Sequence, residues 1–318
     1  MLPRVVVAPY ECLTRLPNMG NMPLHDSREE AAIVALLRGT ADVTKMRPKD
    51  LRARLEDGEL PTGVYFSRIT GLIEVDPSAL EAISTEIEGW RASGIRVMFS
   101  SSPDYPESLR NVYDYPLVLF GTGTRAADEC TVAVVGSRNA SPRAVQMASE
   151  LSATLAAQGV TIASGLARGI DTAAHEAALR VGGRTVAVLG HGAGQIYPRE
   201  NAPLLERIRT RGGEILTQFW PGSPPTKQTF PMRNVTMSGL SGITIIVEAA
   251  EASGTRHQAQ AAVHHGHHVL LHESVASGTS WGRDMVSRCL AQEFGSADEA
   301  ANLASTRLTA GPSELAFA

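Results

Sequence analysis

From Thr131 onward, short apolar, β-branched runs alternate with stretches of helical spacing: TVAVV (131 to 135), VTIAS (160 to 164), TVAVLG (185 to 190), EILTQF (214 to 219), ITIIVEA (243 to 249) and HVLLH (268 to 272). Strands separated by helices in this way form βαβ units around a parallel sheet. Six of them predict a doubly wound, mostly parallel α/β sheet of Rossmann-like type, with its ligand site at the carboxyl ends of the strands. The helix after the first strand is well signalled: Ser141 can cap it, Pro142 suits its first turn, Val145, Ala148, Leu151 and Leu155 share a face, and Gly159 stops it. Beyond about residue 275 sheet-like runs cease. A helix is expected in GRDMVSRCLAQEF (282 to 294), a short one near Ala297 to Ala304, and a frayed tail in STRLTAGPSELAFA.

Upstream, residues 29 to 57 combine helix formers, apolar spacing and a glycine stop, which predicts two or three short helices after an irregular start before about residue 27. Another helix is expected from Pro77 to Ser93, ended by Gly94 and followed by the strand-like IRVMF at 95 to 99. The expected organisation is a small, mostly helical N-terminal domain over 1 to 90, an extended Rossmann-like domain over 91 to 290, and a short helix with a tail over 291 to 318.

Composition narrows the function classes. At 318 residues and 43% hydrophobic, the chain can bury a large core. No run approaches twenty apolar residues and no leader pattern opens the chain, so a soluble, cytoplasmic protein without membrane contact is the default expectation. Cys12, Cys130 and Cys289 are too few and scattered for a disulfide framework or a metal knuckle. The net charge of -4 restricts any nucleic-acid site to a local groove. Lysine occurs only at 45, 49 and 227, so Lys227 stands alone in the C-terminal two thirds.

Four loops follow strands or open helices, where backbone N–H groups and the helix dipole favour anions. In VVGSRNASP, Gly136 allows a tight turn, Ser137 can donate a hydrogen bond and Arg138 can grip a phosphate in bidentate fashion. The alternative is an ordinary strand-to-helix turn with a solvated arginine. In SGLARGIDTAAH (164 to 175), Gly165 and Gly169 let the backbone approach a ligand. Asp171 and His175 lie on one helical face, either as an acid–base or metal pair or as a dipole-stabilising aspartate with a neighbouring histidine. In GHGAGQIYPREN (190 to 201) the glycine spacing rules out a dinucleotide fingerprint. Tyr197-Pro198 and Asn201 read there as a rigid turn capping the next helix.

The fourth segment, PPTKQTFPMRNVTMSGLS (224 to 241), spaces Lys227, Phe230 and Arg233 three residues apart. Cations can meet phosphate while a base stacks on the ring, the combination that holds single strands. Otherwise Phe230 belongs to the core and Arg233 pairs with an acid such as Glu248. His264, His265, His267 and His268 at a helix end invite a metal reading, but a helix end followed by a strand points them in several directions.

Taken together, GSR at 136 to 138, SGLARGID at 164 to 171, GxGxxxxYPxxN across 190 to 201, and FPxRN with GLS at 230 to 241 resemble the DprA/Smf family in order and spacing. The resemblance covers about residues 94 to 272, with a lead-in in GIRVMFSSSPDYPESLRNVYDYPLVLFGTG. It implies a Rossmann-like domain that binds single-stranded DNA in a basic pocket, works as a homodimer, hands strands to a RecA-type recombinase, and has no cofactor, metal or catalytic residue. It assigns Arg138, with Ser137 beside it, to phosphate, and Gly165 to a backbone lying against the strand. Lys227 and Phe230 go to the pocket, and Arg233 and Asn234 to its positioning. Departures from the family pattern are Val235 after the RN pair, HESVASGT after the sixth strand, and the altered stretch from 254 to 280.

The competing readings are a nucleotide-binding sensor on the same fold and a LOG-type nucleotide phosphoribohydrolase. The latter needs PGGxGTxxE where this chain has SGLSGITIIVEAAEASGT. A serine hydrolase is set aside because no GxSxG elbow is recognised. The single-strand reading predicts salt-sensitive binding, little sequence preference beyond stacking, and weaker binding to duplex.

Overall fold

A computed structural model describes residues 26–41, 43–69, 78–126 and 130–309. Among the described residues two compact units divide the chain: residues 26–105 with Asp114–Gly121, and Pro106–Tyr113 with residues 122–309. The first is mainly helical, with α1 (Ser27–Arg38), α2 (Pro48–Glu56), α3 (Pro61–Ser67) and α4 (Ser78–Ala92), joined by the antiparallel pair β1 (Arg96–Phe99) and β2 (Val118–Gly123). Asp26 caps α1 by accepting from the Arg28 N–H at 2.9 Å, and Glu29 ties α1 to α3 by accepting from the backbone and hydroxyl of Thr62 at 2.8 and 2.7 Å. The division therefore puts the strand at 96–99 in the N-terminal unit, past the boundary expected at residue 90.

The second unit begins with the short α5 (Glu107–Arg110) and then alternates as its apolar runs require. It contains β3 (Thr131–Val135), α6 (Pro142–Ala157), β4 (Thr161–Ser164), α7 (Ile170–Arg180), β5 (Thr185–Val188), α8 (Ala202–Thr210), β6 (Glu214–Thr217), α9 (Thr229–Leu240), β7 (Ile243–Ile246), α10 (Thr255–His264) and β8 (His268–His272). It closes with α11 (Glu273–Ala276), α12 (Ser280–Ser287), β9 (Gln292–Phe294) and α13 (Ala297–Thr309). Its strands run β6-β5-β4-β3-β7-β8-β9 and pair in parallel. The chain winds outward from β3 to β6 and then returns to β7 on the other side of β3, so the doubly wound prediction holds with its switch point between β3 and β7. Ser141 caps α6 by accepting from the Ala144 N–H at 3.2 Å. Leu151 and Leu155 of α6 pack with Val132, Ile162, Ile243, Leu270 and Phe294 in the main core.

Three C-terminal expectations need correction. The helix expected over 282 to 294 stops at Ser287, because Cys289 takes a positive φ of 56° and turns the chain. QEF then adds a seventh strand beside β8, with Phe294 opposite His272; three residues with only Phe294 buried carry no strand periodicity. The final helix extends to Thr309 instead of fraying from residue 305. Its Ala297, Ala300, Ala301, Ala304 and Leu308 join the main core, so this end packs with the domain that it follows. The expectations for residues before 26, for Pro77 and for 310–318 lie outside the described residues.

Candidate nucleic-acid interface

The loops after β3, β4 and β5 converge with the start of α9 at the carboxyl ends of the parallel strands. They line an open cleft of about 410 Å³ formed by Arg138, Asn139, Gly165, Ala167, Arg168, Gly190, His191, Tyr197, Pro198, Arg199, Glu200, Phe230 and Arg233. The loop after β3 borders the switch point between β3 and β7, where successive crossovers leave the sheet on opposite faces.

The floor is organised around Arg233, which is only 6% exposed. Its Nη1 donates to the Val188 carbonyl at 2.8 Å and its Nε to Oδ1 of Asn234 at 3.0 Å. Burial lowers the pKa of the guanidinium and the charge of Asp171 raises it again. Asp171, itself buried, accepts from the N–H groups of Gly165 and Ala167 at 3.1 and 3.3 Å; burial raises its pKa, and Arg233 and those donors oppose the rise. A Cβ on Gly165 would fall 1.7 Å from Nη1 of Arg233. Glycine is thus required at 165 to admit the guanidinium. The alternative pairing of Arg233 with Glu248 is not formed: Glu248 accepts from the backbone and hydroxyl of Ser141 at the start of α6.

Above this floor Phe230 is half-buried and stands in the cleft wall, outside the core assigned to it by the alternative reading. Gly190 makes room for it, since a Cβ there would lie 2.8 Å from Cδ1 of the ring. The Arg138 guanidinium sits over the Phe230 ring at 5.1 Å, and Tyr197 meets the same ring with centroids 5.8 Å apart. Arg168 and Glu200 form an exposed ion pair on the rim. His191 is 1% exposed; burial lowers its pKa, against a weaker upward pull from the main chain of Gly192 and Tyr197.

Of the sequence-predicted site residues, Arg138, Gly165, Phe230 and Arg233 come together in the cleft. Ser137 is not among the lining residues, and its hydroxyl accepts from the Asn139 N–H at 3.2 Å. Asn234 orients Arg233 and donates to the Gly254 carbonyl at 3.3 Å. Lys227 is exposed on the turn before α9 and is not among the lining residues. Sequence reasoning missed Asn139, Arg168, Tyr197 and His191. The sequence assigns Tyr197 to a rigid turn, and the signal for its place in the cleft is an aromatic next to a glycine-containing loop after a strand. Asn201 does not cap α8 with its side chain; it donates to the Leu166 carbonyl and the Thr172 hydroxyl, both at 2.9 Å, holding the β4–α7 loop.

Neither histidine reading yields a metal site: among the described residues no group of three His, Cys, Asp or Glu is placed to hold an ion. The Nδ1 of His175 meets the Thr185 hydroxyl at 2.6 Å in the core. Burial drops its pKa from 6.5 to about 3. The unfolded chain therefore binds a proton below 6.5 that the folded chain refuses, so this contribution to stability is present above pH 6.5 and lost as pH falls toward 3. His175→Leu should flatten the acid side of the stability profile in urea melts, and an unchanged slope would contradict the assignment. His265 meets the Ser238 hydroxyl at 2.9 Å and His267 the Ser238 carbonyl at 3.0 Å, while His264 lines a groove beside α12. Gly278-Thr279-Ser280-Trp281-Gly282 does carry the GxSxG spacing. It joins α11 to α12 and not a strand to a helix, Thr279 caps α12, and the Ser280 hydroxyl is engaged by Glu251, so it is no nucleophile elbow.

Among the described residues no helix is long and apolar enough to cross a membrane. The family model for DNA recombination-mediator protein A matches residues 96–304. The chain is 43% identical over 172 residues to Protein Smf of Escherichia coli, covering 54% of this chain and 46% of that protein. It is 36% identical over 186 residues to DNA processing protein DprA of Bacillus subtilis, covering 58% and 62%. It thus spans between about half and three fifths of these relatives' length. The X-ray structure of DprA from Streptococcus pneumoniae superimposes with a TM-score of 0.66 at 28% identity, over 87% of this chain and 97% of that one. A Helicobacter pylori DprA structure, described for its single-stranded DNA binding mode, shares the fold with a TM-score of 0.58 at 24% identity, over 67% and 95%. With one family model running from β1 into α13, the chain belongs to the DNA recombination-mediator protein A family, DprA/Smf.

Proposed function

We propose that the cleft binds single-stranded DNA without turnover, and that the chain, as a cytoplasmic homodimer, hands the strand to a RecA-type recombinase. The observation that carries the reading is the Arg138 guanidinium held over the Phe230 ring in an open cleft with Tyr197 beside it. A cation and two rings within one cleft offer a phosphate contact and a stacking surface together, which is what a flexible strand with exposed bases requires. A net charge of -4 makes binding depend on these local groups. The single-strand binding described for the Helicobacter pylori relative supports the same ligand.

Anisotropy titration of labelled oligothymidine tests this. The logarithm of affinity should fall linearly with the logarithm of salt, with a slope of about -0.7 for each phosphate held. A duplex should bind about tenfold more weakly, because its bases cannot reach Phe230. Salt-independent binding, or a preference for duplex, would sink the proposal. The handover step is tested by adding purified RecA to a pre-bound strand, where release without recombinase loading would contradict it.

A further inference from the structure

We propose that Arg168 is a second phosphate contact of the cleft and that Glu200 holds it in reserve, so that a strand binds by exchanging the Glu200 carboxylate for one of its own phosphodiesters. The inference rests on the single-strand reading above. Both side chains line the cleft and both reach solvent, Arg168 being 61% and Glu200 49% exposed. Arg168 donates through Nε to Oε1 and through Nη2 to Oε2, the latter at 2.9 Å. This fork occupies the edge of the guanidinium that a phosphate takes in bidentate fashion. Carboxylate and phosphate therefore compete for one place.

The fold sets this competition up. Arg168 lies on the loop between β4 and α7, and Glu200 on the turn between β5 and α8. Asn201, next to Glu200 and only 7% exposed, donates to the Leu166 carbonyl and the Thr172 hydroxyl, both at 2.9 Å, and so ties the turn to the loop that carries Arg168. Among the described residues that line the cleft, Glu200 is the one acid. The hydrogen bond from Arg168 lowers its pKa, which keeps it charged at neutral pH. Arg233 is committed to the floor and Arg138 stands over the Phe230 ring. A strand with a base on Phe230 brings further phosphates into the cleft, and the fork of Arg168 can take one once Glu200 yields it. An exposed ion pair holds weakly, so the exchange lowers affinity by a factor of about five at most.

Anisotropy titrations of labelled oligothymidine over a range of salt test this. They compare the native chain with Glu200→Gln, with Arg168→Ala placed on Glu200→Gln, and with Glu150→Gln, a charge control on α6 outside the cleft lining. Glu200→Gln should bind about twofold to fivefold more tightly than the native chain, and Glu150→Gln should match the native chain. Adding Arg168→Ala to Glu200→Gln should weaken binding and make the salt slope shallower by about 0.7, the signature of one lost phosphate contact. Equal affinity of the native chain and Glu200→Gln, or the same gain in Glu150→Gln, overturns the reserve role of Glu200. An unchanged slope in the double variant overturns the phosphate contact. Each of these results leaves the single-strand reading standing, whereas failure of the native chain and Glu200→Gln alike to bind removes that reading and this inference with it. All three substituted side chains are exposed, so urea melts of the variants should match the native chain.

Discussion

Alanine at position 165 should cost the protein about 3–5 kcal/mol of folding stability, the range seen when one partner of a buried charged pair is displaced. The added Cβ would lie 1.7 Å from Nη1 and 2.3 Å from Cζ of Arg233, distances that no small adjustment relieves. Arg233 must leave, giving up its bond to the Val188 carbonyl and withdrawing its charge from buried Asp171. Gly159→Ala is the control. Gly159 has a φ of 87° with open space at its Cβ, so it should lose only about 1–2 kcal/mol through backbone strain. Urea unfolding of the two variants separates these costs. A double-mutant cycle sharpens the claim, since Gly165→Ala placed on an Arg233→Ala background should add little. Equal cost on both backgrounds would show that the clash is not the cause.

Phe230→Ala should weaken binding to oligothymidine by roughly tenfold to a hundredfold, from loss of stacking worth about 1–3 kcal/mol per base. Phe230→Trp should keep most of the affinity. Arg138→Ala should weaken binding too, and it should also reduce the salt slope by about 0.7, the signature of one lost phosphate contact. Charge and stacking are thus separable: the alanine at 230 lowers affinity at every salt concentration with the slope unchanged. Lys227→Ala should lower affinity less than Arg138→Ala, because Lys227 is exposed outside the cleft lining. An unaltered slope in Arg138→Ala would remove that residue from the phosphate path.

The parallel sheet was legible because buried central strands read as unbroken β-branched runs, and TVAVV and HVLLH became β3 and β8 with the bounds expected of them. The edge strand β9 was not, since an edge triplet with one buried residue has neither run nor alternation. In the site, Arg138, Gly165, Phe230 and Arg233 could be picked out by motif, yet the division of labour among them could not. Arg233 supports the floor in place of reaching out as a free cation, and Gly165 serves Arg233 sterically; both facts depend on a contact between residues 68 positions apart in the chain. His191 and Tyr197 were hidden for a related reason, because which way a side chain leaves an irregular loop is fixed by tertiary packing and not by any period of the sequence.

The most direct test of the central claim is photocross-linking of an oligothymidine carrying 5-iodouracil, with the adduct mapped by mass spectrometry. Adducts on Phe230 or Tyr197, competed away by unlabelled single strand, are the predicted result. Adducts confined to residues outside the cleft, with none on either ring, would contradict it.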